Sequence, residues 1–141
     1  MLPIDNIISD KAALPIDNII SDITQILDSV GMKSAMGAYK DAPPDHYAVI
    51  EPGHDSFQGF ADNLPTFDIQ RARVTVAVKT DYTDWRVKIT AALLWRKFKF
   101  LDRAYIGYDG DTEYFAFYVD VEKAYSNGPY KAYIDEALKG S

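Results

Sequence analysis

Alternation of apolar and polar residues predicts four β-strands along the chain. The clearest run is Thr66–Lys79, in which Val74, Val76 and Val78 occupy every second position and polar residues occupy most of the others. A period of two is typical of a strand with one dry face. The other predicted strands are His46–Glu51, Arg103–Asp109 and Thr112–Glu122, the last two joined by a turn at Gly110 and Asp111.

The last strand repeats this two-faced pattern. Its dry positions are Phe115, Phe117, Val119 and Val121, and the alternate positions are Tyr114, Tyr118, Asp120 and Glu122. One face covered by helices and one polar face is the two-layer pattern of antiparallel sheets. We therefore predict an α+β fold with a mainly antiparallel sheet of about four strands and helices on one face. The predicted order is helix, two strands, helix, two strands, helix.

Helical spacing predicts three helices. The first begins near Pro15 and ends before Gly31, which suits a left-handed cap. The last, short helix follows Pro129 and ends near Leu138. The apolar stripe of the first helix consists of Ile16, Ile19, Ile20, Ile23, Ile26, Leu27 and Val30.

The central helix, predicted over Thr83–Phe98, has apolar residues on two nearly opposite sides. One side carries Trp85, Ile89 and Ala92, and the other carries Val87, Ala91, Leu94, Trp95 and Phe98. An ordinary surface helix has one apolar stripe, so this helix is expected to cover two partners. One is the sheet, and the other is either a second helix of the same chain or another subunit.

The N-terminus contains a repeat of nine identical residues. Leu2–Asp10 recurs as Leu14–Asp22, at an offset that does not return to the same helix face. We interpret residues 1–13 as an artificial or recent duplication, either helical or disordered, appended to a single domain at 14–141. Only the second copy is needed by the fold.

A long segment without a clear pattern, Pro52–Pro65, is predicted to be a loop. It carries Phe57, Phe60 and Leu64. Long loops inside compact domains are usually functional or mobile, so these side chains are expected to pack on the core or to dock on a partner.

Composition excludes several classes of function. The chain of 141 residues has no cysteine, so disulfides and thiol catalysis are excluded. Its net charge of −6 gives no electrostatic basis for sequence-independent nucleic-acid binding. No apolar run reaches the length of a membrane span, and the N-terminus lacks the features of a signal peptide.

The polar residues form no catalytic or metal-binding motif. His54 and Asp55 lie in the predicted loop without the spacing of a metal site. Asp109, Asp111 and Glu113 alternate across a turn but lack the glycine and terminal glutamate of a calcium loop. We predict no catalytic residues, no cofactor and no metal, and we do not expect an enzyme.

The order of elements between Leu14 and Leu138 resembles the tail terminator proteins of long-tailed bacteriophages and related prophage elements. These are also called tail-completion or minor capsid proteins. The resemblance is carried by Ile69–Val76, Arg103–Asp109 and the following run Tyr114–Val121. It implies a homo-oligomeric ring, typically a hexamer, that caps the tail tube, ends its polymerisation and offers a surface to the neck. It also implies a virion location at the tail–neck junction and a cytoplasmic stage during assembly.

The partners implied by the resemblance are a second copy of the chain, the tail-tube protein and a neck or head-completion protein. The alternatives are a neck or head-completion protein, a small ligand-binding domain with a pocket near His54, and a regulatory interaction domain unconnected with phage. The candidate interface residues, chosen from the chain itself, are Trp85, Trp95, Phe98, Phe57, Phe60, Arg71, Arg73, Tyr114 and Tyr118.

Overall fold

A computed structural model describes residues 18–40, 42–61 and 64–138, apart from the side chains of residues 60, 61 and 64–66. The elements in chain order are α1 (Ile19–Ser29), β1 (Lys33–Met36), β2 (His46–Pro52), β3 (Ser56–Ala61), β4 (Leu64–Val78), α2 (Tyr82–Trp95), β5 (Lys99–Asp109), β6 (Tyr114–Ser126) and α3 (Gly128–Tyr133), followed by a π-helical turn at Ile134–Leu138.

The strands form one mixed sheet with β4 near its centre. The order is β1-β2-β4-β6-β5, and β3 pairs with the N-terminal half of β4 beside β2. β1 pairs with β2 in parallel, and all other pairs are antiparallel. β1 and β5 therefore form the two ends of this strand order.

The helices cover one face of the sheet. Val74, Val76 and Val78 of β4 lie opposite Val119, Phe117 and Phe115 of β6 on this face. α1 contributes Ile19, Ile23, Ile26 and Leu27 to the same core, and α2 contributes Ile89 and Leu93. Burying a side chain of this size stabilises the fold by about 1.5–3 kcal/mol, so this shared core is the main source of stability.

α1 begins at Ile19, later than the predicted start near Pro15, and it ends where the sequence predicts. The Asn18 side chain accepts a hydrogen bond from the backbone N–H of Ser21 at 2.8 Å, which is a normal N-terminal cap. Gly31 has φ +87° directly after the helix. Because left-handed backbone is strained for other residues, the predicted role of Gly31 in ending this helix is confirmed.

The α+β class is confirmed, but the prediction of about four strands in the stated order is wrong. The described residues form six strands. β1 was missed because its four residues show no alternation, and it is stabilised by parallel pairing with β2. β3 lies inside the predicted loop Pro52–Pro65, where it forms a hairpin with the start of β4. Gln58 and Gly59 give β3 low strand propensity, so only its pairing reveals it.

The repeat lies mostly outside the described residues. Its first copy, Leu2–Asp10, and the beginning of its second copy precede Asn18. The interpretation of residues 1–13 as an appendix therefore stays a prediction. Among the helices that the structure describes, none is long and apolar enough to cross a membrane.

Candidate assembly surface

The inner side of α2 packs on the sheet and on α1. Ile89 and Leu93 are completely buried. Tyr82 makes an edge-to-face contact with Phe117 of β6, with ring centroids 5.5 Å apart. Trp85, a predicted interface residue, is half-buried, and its ring lies 4.6 Å from that of His46. This side of the helix is therefore anchored within the chain.

The C-terminal end of α2 places Phe98 in the core. The backbone N–H of Phe98 donates to the carbonyl of Leu93 at 3.1 Å, and that of Lys97 donates to Leu94 at 2.9 Å. This reversal ends the helix at Trp95, with Lys97 at φ +68°. Phe98 is only 3% exposed. Its predicted position on the second apolar side of the helix is therefore wrong, because the helix ends before it.

The remaining residues of the second apolar side face outward. Val87 is 57% exposed, Leu94 is 55% exposed and Trp95 is 85% exposed. Ala91, one turn from each of Val87 and Trp95, is also exposed. We call Val87, Ala91, Leu94 and Trp95 the outer face of α2. Within the described part of the chain no helix covers this face, and adjacent exposed apolar side chains of this size typically mark an interaction site.

A second group of exposed apolar side chains lies on β5, at one end of the sheet. It consists of Leu101, Tyr105, Ile106 and Tyr108, each between 45% and 56% exposed. We call these four residues the β5 edge. Their strand is joined to α2 by a hydrogen bond from Arg103 Nη1 to Thr90 Oγ1 at 3.0 Å. Tyr105 also contacts Tyr82 of α2, with ring centroids 5.6 Å apart.

The β5 edge was not among the predicted interface residues, for a local reason. The register between β5 and β6 is irregular between Phe100 and Asp102 and again between Tyr105 and Gly107. Leu101 and Ile106 lie at these bulges, where the strict alternation of faces is interrupted. Leu101 also precedes the predicted start of the strand at Arg103. The sequence feature that could have indicated the β5 edge is two adjacent pairs of large residues, Phe100–Leu101 and Tyr105–Ile106.

The opposite face of the sheet has no helix on it among the described residues, and ion pairs and aromatic rings cover it. Arg73 donates to both carboxylate oxygens of Asp120, at 2.8 and 2.9 Å, and its guanidinium lies 4.1 Å from the centre of the Tyr118 ring. The Tyr118 hydroxyl donates to Asp102 at 2.7 Å, and this hydrogen bond raises the pKa of Tyr118. We call this the open face.

Two other predicted interface residues of the open face, Arg71 and Tyr114, also make contacts within the chain. Arg71 pairs with Glu122 at 2.8 Å. The Tyr114 hydroxyl donates to the carbonyl of Pro44 at 2.7 Å, and burial raises the pKa of Tyr114. Arg71, Arg73, Tyr114 and Tyr118 therefore connect elements of their own chain, so their main interactions do not require a partner.

The structure describes only some of the side chains in the predicted loop Pro52–Pro65. Phe57 of β3 is 51% exposed, and its ring stands edge-on to Tyr130 of α3 at 6.1 Å. The side chain of Phe60 lies outside the described residues. The partner contact predicted for this segment stays a prediction.

A shallow groove of about 420 Å³ lies beside His54. Arg71, Arg73 and Asp120 line it, and the two guanidinium groups are already paired with carboxylates. In the described ranges, no three histidine or acidic side chains lie close enough together to hold a metal ion. The two guanidinium groups are therefore open to a ligand only if these ion pairs are broken.

Neither a scan against protein-family models nor a search of curated proteins finds a match to this chain.

Proposed function

We propose that the protein is a structural subunit of the tail-terminator kind. Copies of it form a closed ring, a hexamer by the family resemblance, that ends the growth of a phage tail tube and presents a surface to the neck. The observation that carries this proposal is the β5 edge, because its four exposed apolar side chains lie on an outermost strand of eleven residues.

The two ends of the sheet differ, which favours a ring. One end is the long strand β5, and the other is the four-residue strand β1, where Met36 is 61% exposed. A contact between unlike surfaces of neighbouring copies is head-to-tail, and it generates a ring when the rotation closes. The apolar side chains at both ends supply the surface that such a contact would bury.

Features of β5 favour a limited contact over open-ended strand addition. Its two bulges interrupt the hydrogen-bonding edge, and Lys99 and Arg103 add charge along it. Bulges and edge charges are the usual means by which proteins prevent edge-to-edge aggregation. We therefore expect the ring contact to depend on the side chains of the β5 edge.

The assembly experiment compares two variants that add one positive charge to adjacent strands. Ile106→Lys places the charge in the β5 edge, where Ile106 is 56% exposed. Ala124→Lys places it at an exposed position of β6 on the open face. Native mass spectrometry and negative-stain microscopy of the full chain should show a ring for wild type and Ala124→Lys and its loss in Ile106→Lys. Unchanged rings in Ile106→Lys would contradict the role of the β5 edge.

The capping function has its own assay. The tail-tube protein encoded in the same genome would be polymerised with and without this protein, and tube lengths would be measured by electron microscopy. We expect shorter tubes with a ring of density at one end, and no shortening with Ile106→Lys. Binding to a portal or head-completion protein with no effect on tube length would instead favour the neck-protein alternative.

The groove beside His54 is the feature that favours the ligand-binding alternative. If that alternative is correct, a small ligand should raise the unfolding temperature of wild type but not of His54→Ala. The ion pairs of Arg71 and Arg73 weaken this alternative, because a charged ligand would have to displace Glu122 or Asp120 from them.

A further inference from the structure

The outer face of α2 has a charge pattern that complements itself. Asp81 and Asp84 lie at the N-terminal end of the helix, and Arg96 and Lys97 directly follow its C-terminal end. All four residues are exposed. The apolar residues of the outer face lie between these two charged ends.

These charges are available for a contact outside the chain. Among the ion pairs of the described residues, none involves Asp81, Asp84, Arg96 or Lys97. The open face of the sheet differs, since its arginines are paired with Asp120 and Glu122.

We propose that the outer face of α2 binds the same face of a second copy, with the two helices antiparallel about a two-fold axis at Ala91. In this arrangement the two Ala91 residues meet at the centre. Val87 of each copy lies near Trp95 of the other, and Asp84 of each copy approaches Arg96 and Lys97 of the other. The same surface serves both copies, as a two-fold contact requires.

The antiparallel direction follows from the charges. A parallel pair would place the aspartates of both copies at one end and the basic residues at the other, and like charges brought together are unfavourable. The antiparallel pair places each acidic end beside a basic end. The charge pattern therefore favours a second copy of this chain and also determines its orientation.

The small side chain of Ala91 permits close approach. Packed helix axes are about 8–10 Å apart, and each Cα lies about 2.3 Å from its axis. Two Ala91 Cα atoms that face each other would therefore be about 3.4–5.4 Å apart. A long or branched side chain at this position would force the helices apart and uncover Val87 and Trp95.

This contact goes beyond the ring. A two-fold contact joins two copies and stops, whereas contacts between the unlike ends of the sheet continue until a ring closes. A pair of single helices also buries less than the roughly 1,200–2,000 Å² of a stable interface, so a weak dimer is expected. Because the β5 edge and the outer face of α2 share no residue, their variants should have separable effects.

Cysteine cross-linking tests the pairing directly, since the chain has no cysteine. Ala91→Cys should form a disulfide-linked dimer under mild oxidation, because disulfides need Cα atoms about 4.4–6.8 Å apart. Thr83→Cys is the control for direction. Thr83 lies about 12 Å along the helix from Ala91, so in an antiparallel pair the two Thr83 residues would be about 24 Å apart.

Three outcomes decide the proposal. Strong cross-linking of Ala91→Cys, weak cross-linking of Thr83→Cys and loss of the Ala91→Cys product on adding Trp95→Glu would support it. Equal cross-linking of both cysteine variants would overturn the antiparallel direction. No cross-linking of Ala91→Cys above the control would overturn the pairing and leave the face to a different partner.

A charge exchange supplies a second test that does not depend on cysteine. In the Ile106→Lys background, which removes the ring contact, Asp84→Lys and the double variant Arg96→Glu/Lys97→Glu should each weaken self-association by at least tenfold in Kd, measured by sedimentation velocity. Mixing the two variants should restore a dimer, since both contacts then again join opposite charges. A mixture that stays monomeric while Ile106→Lys alone dimerises would overturn the proposed contact, and circular dichroism of each variant would verify that it is folded.

Discussion

Leu93 and Leu94 are adjacent and chemically identical, but only Leu93 faces the core, so the same substitution at each tests how the helix is placed. Leu93 is fully buried, and Leu94 is 55% exposed. Leu93→Ala removes core packing and leaves a cavity, which costs about 2–5 kcal/mol. Leu94→Ala removes a side chain already half in water and improves helix propensity, so the change should stay within about 0.5–1 kcal/mol.

Urea unfolding at low protein concentration would measure both changes in the free energy of unfolding without contributions from association, and thermal unfolding would measure the unfolding temperature. For a domain of this size, each kcal/mol shifts the unfolding temperature by about 3–5 °C. Leu93→Ala should therefore lower it by roughly 6–25 °C and Leu94→Ala by only a few degrees. Equal destabilisation by the two variants, or a cost below about 1 kcal/mol for Leu93→Ala, would refute the assignment of the inner and outer sides.

Three further predictions concern single interactions. Gly31→Ala should destabilise the fold by about 1–2 kcal/mol, because Gly31 has φ +87°; an unchanged unfolding free energy would contradict this. Tyr130 donates a hydrogen bond to buried Asp68, which raises the pKa of Tyr130 to about 12. The contribution of this hydrogen bond to the free energy of unfolding should be complete below the unfolded-state pKa near 10 and lost as pH rises through about 12. Urea titrations at each pH should show this dependence in wild type and not in Tyr130→Phe. A double-mutant cycle of Arg73→Ala and Asp120→Ala should give a coupling of about 0.2–1 kcal/mol that weakens with salt, because the pair is partly exposed; a salt-independent coupling would argue against an exposed ion pair.

The two long central strands could be predicted because each carries enough alternation to identify its faces. Val74, Val76 and Val78 in β4 and Phe117 and Val119 in β6 lie on the buried face that the pattern predicts. Such runs are informative because a shift of one residue would turn every apolar side chain to the wrong face. The α+β class followed from these strands.

The short strands could not be predicted because pairing partners stabilise them. β1 and β3 have four and six residues, and neither shows a continuous apolar alternation. Each exists because a longer strand, β2 or β4, offers a free edge beside it. The predicted boundaries of the hairpin strands were also short, since β5 begins at Lys99 and β6 extends to Ser126.

The candidate surface was predicted in part. The sequence identified two apolar sides on the central helix, but periodicity does not tell which side the rest of the chain covers. The structure leaves Val87, Leu94 and Trp95 exposed and buries Phe98. Arg73 and Tyr118 illustrate the opposite case, since residue type alone suggested an interface but their main contacts lie within the chain.

Native mass spectrometry of the full chain across a wide concentration series would show directly whether the protein assembles with itself. We expect a discrete closed oligomer, a hexamer by the family resemblance, that Ile106→Lys abolishes. A strict monomer at every concentration, for wild type and variant alike, would contradict it.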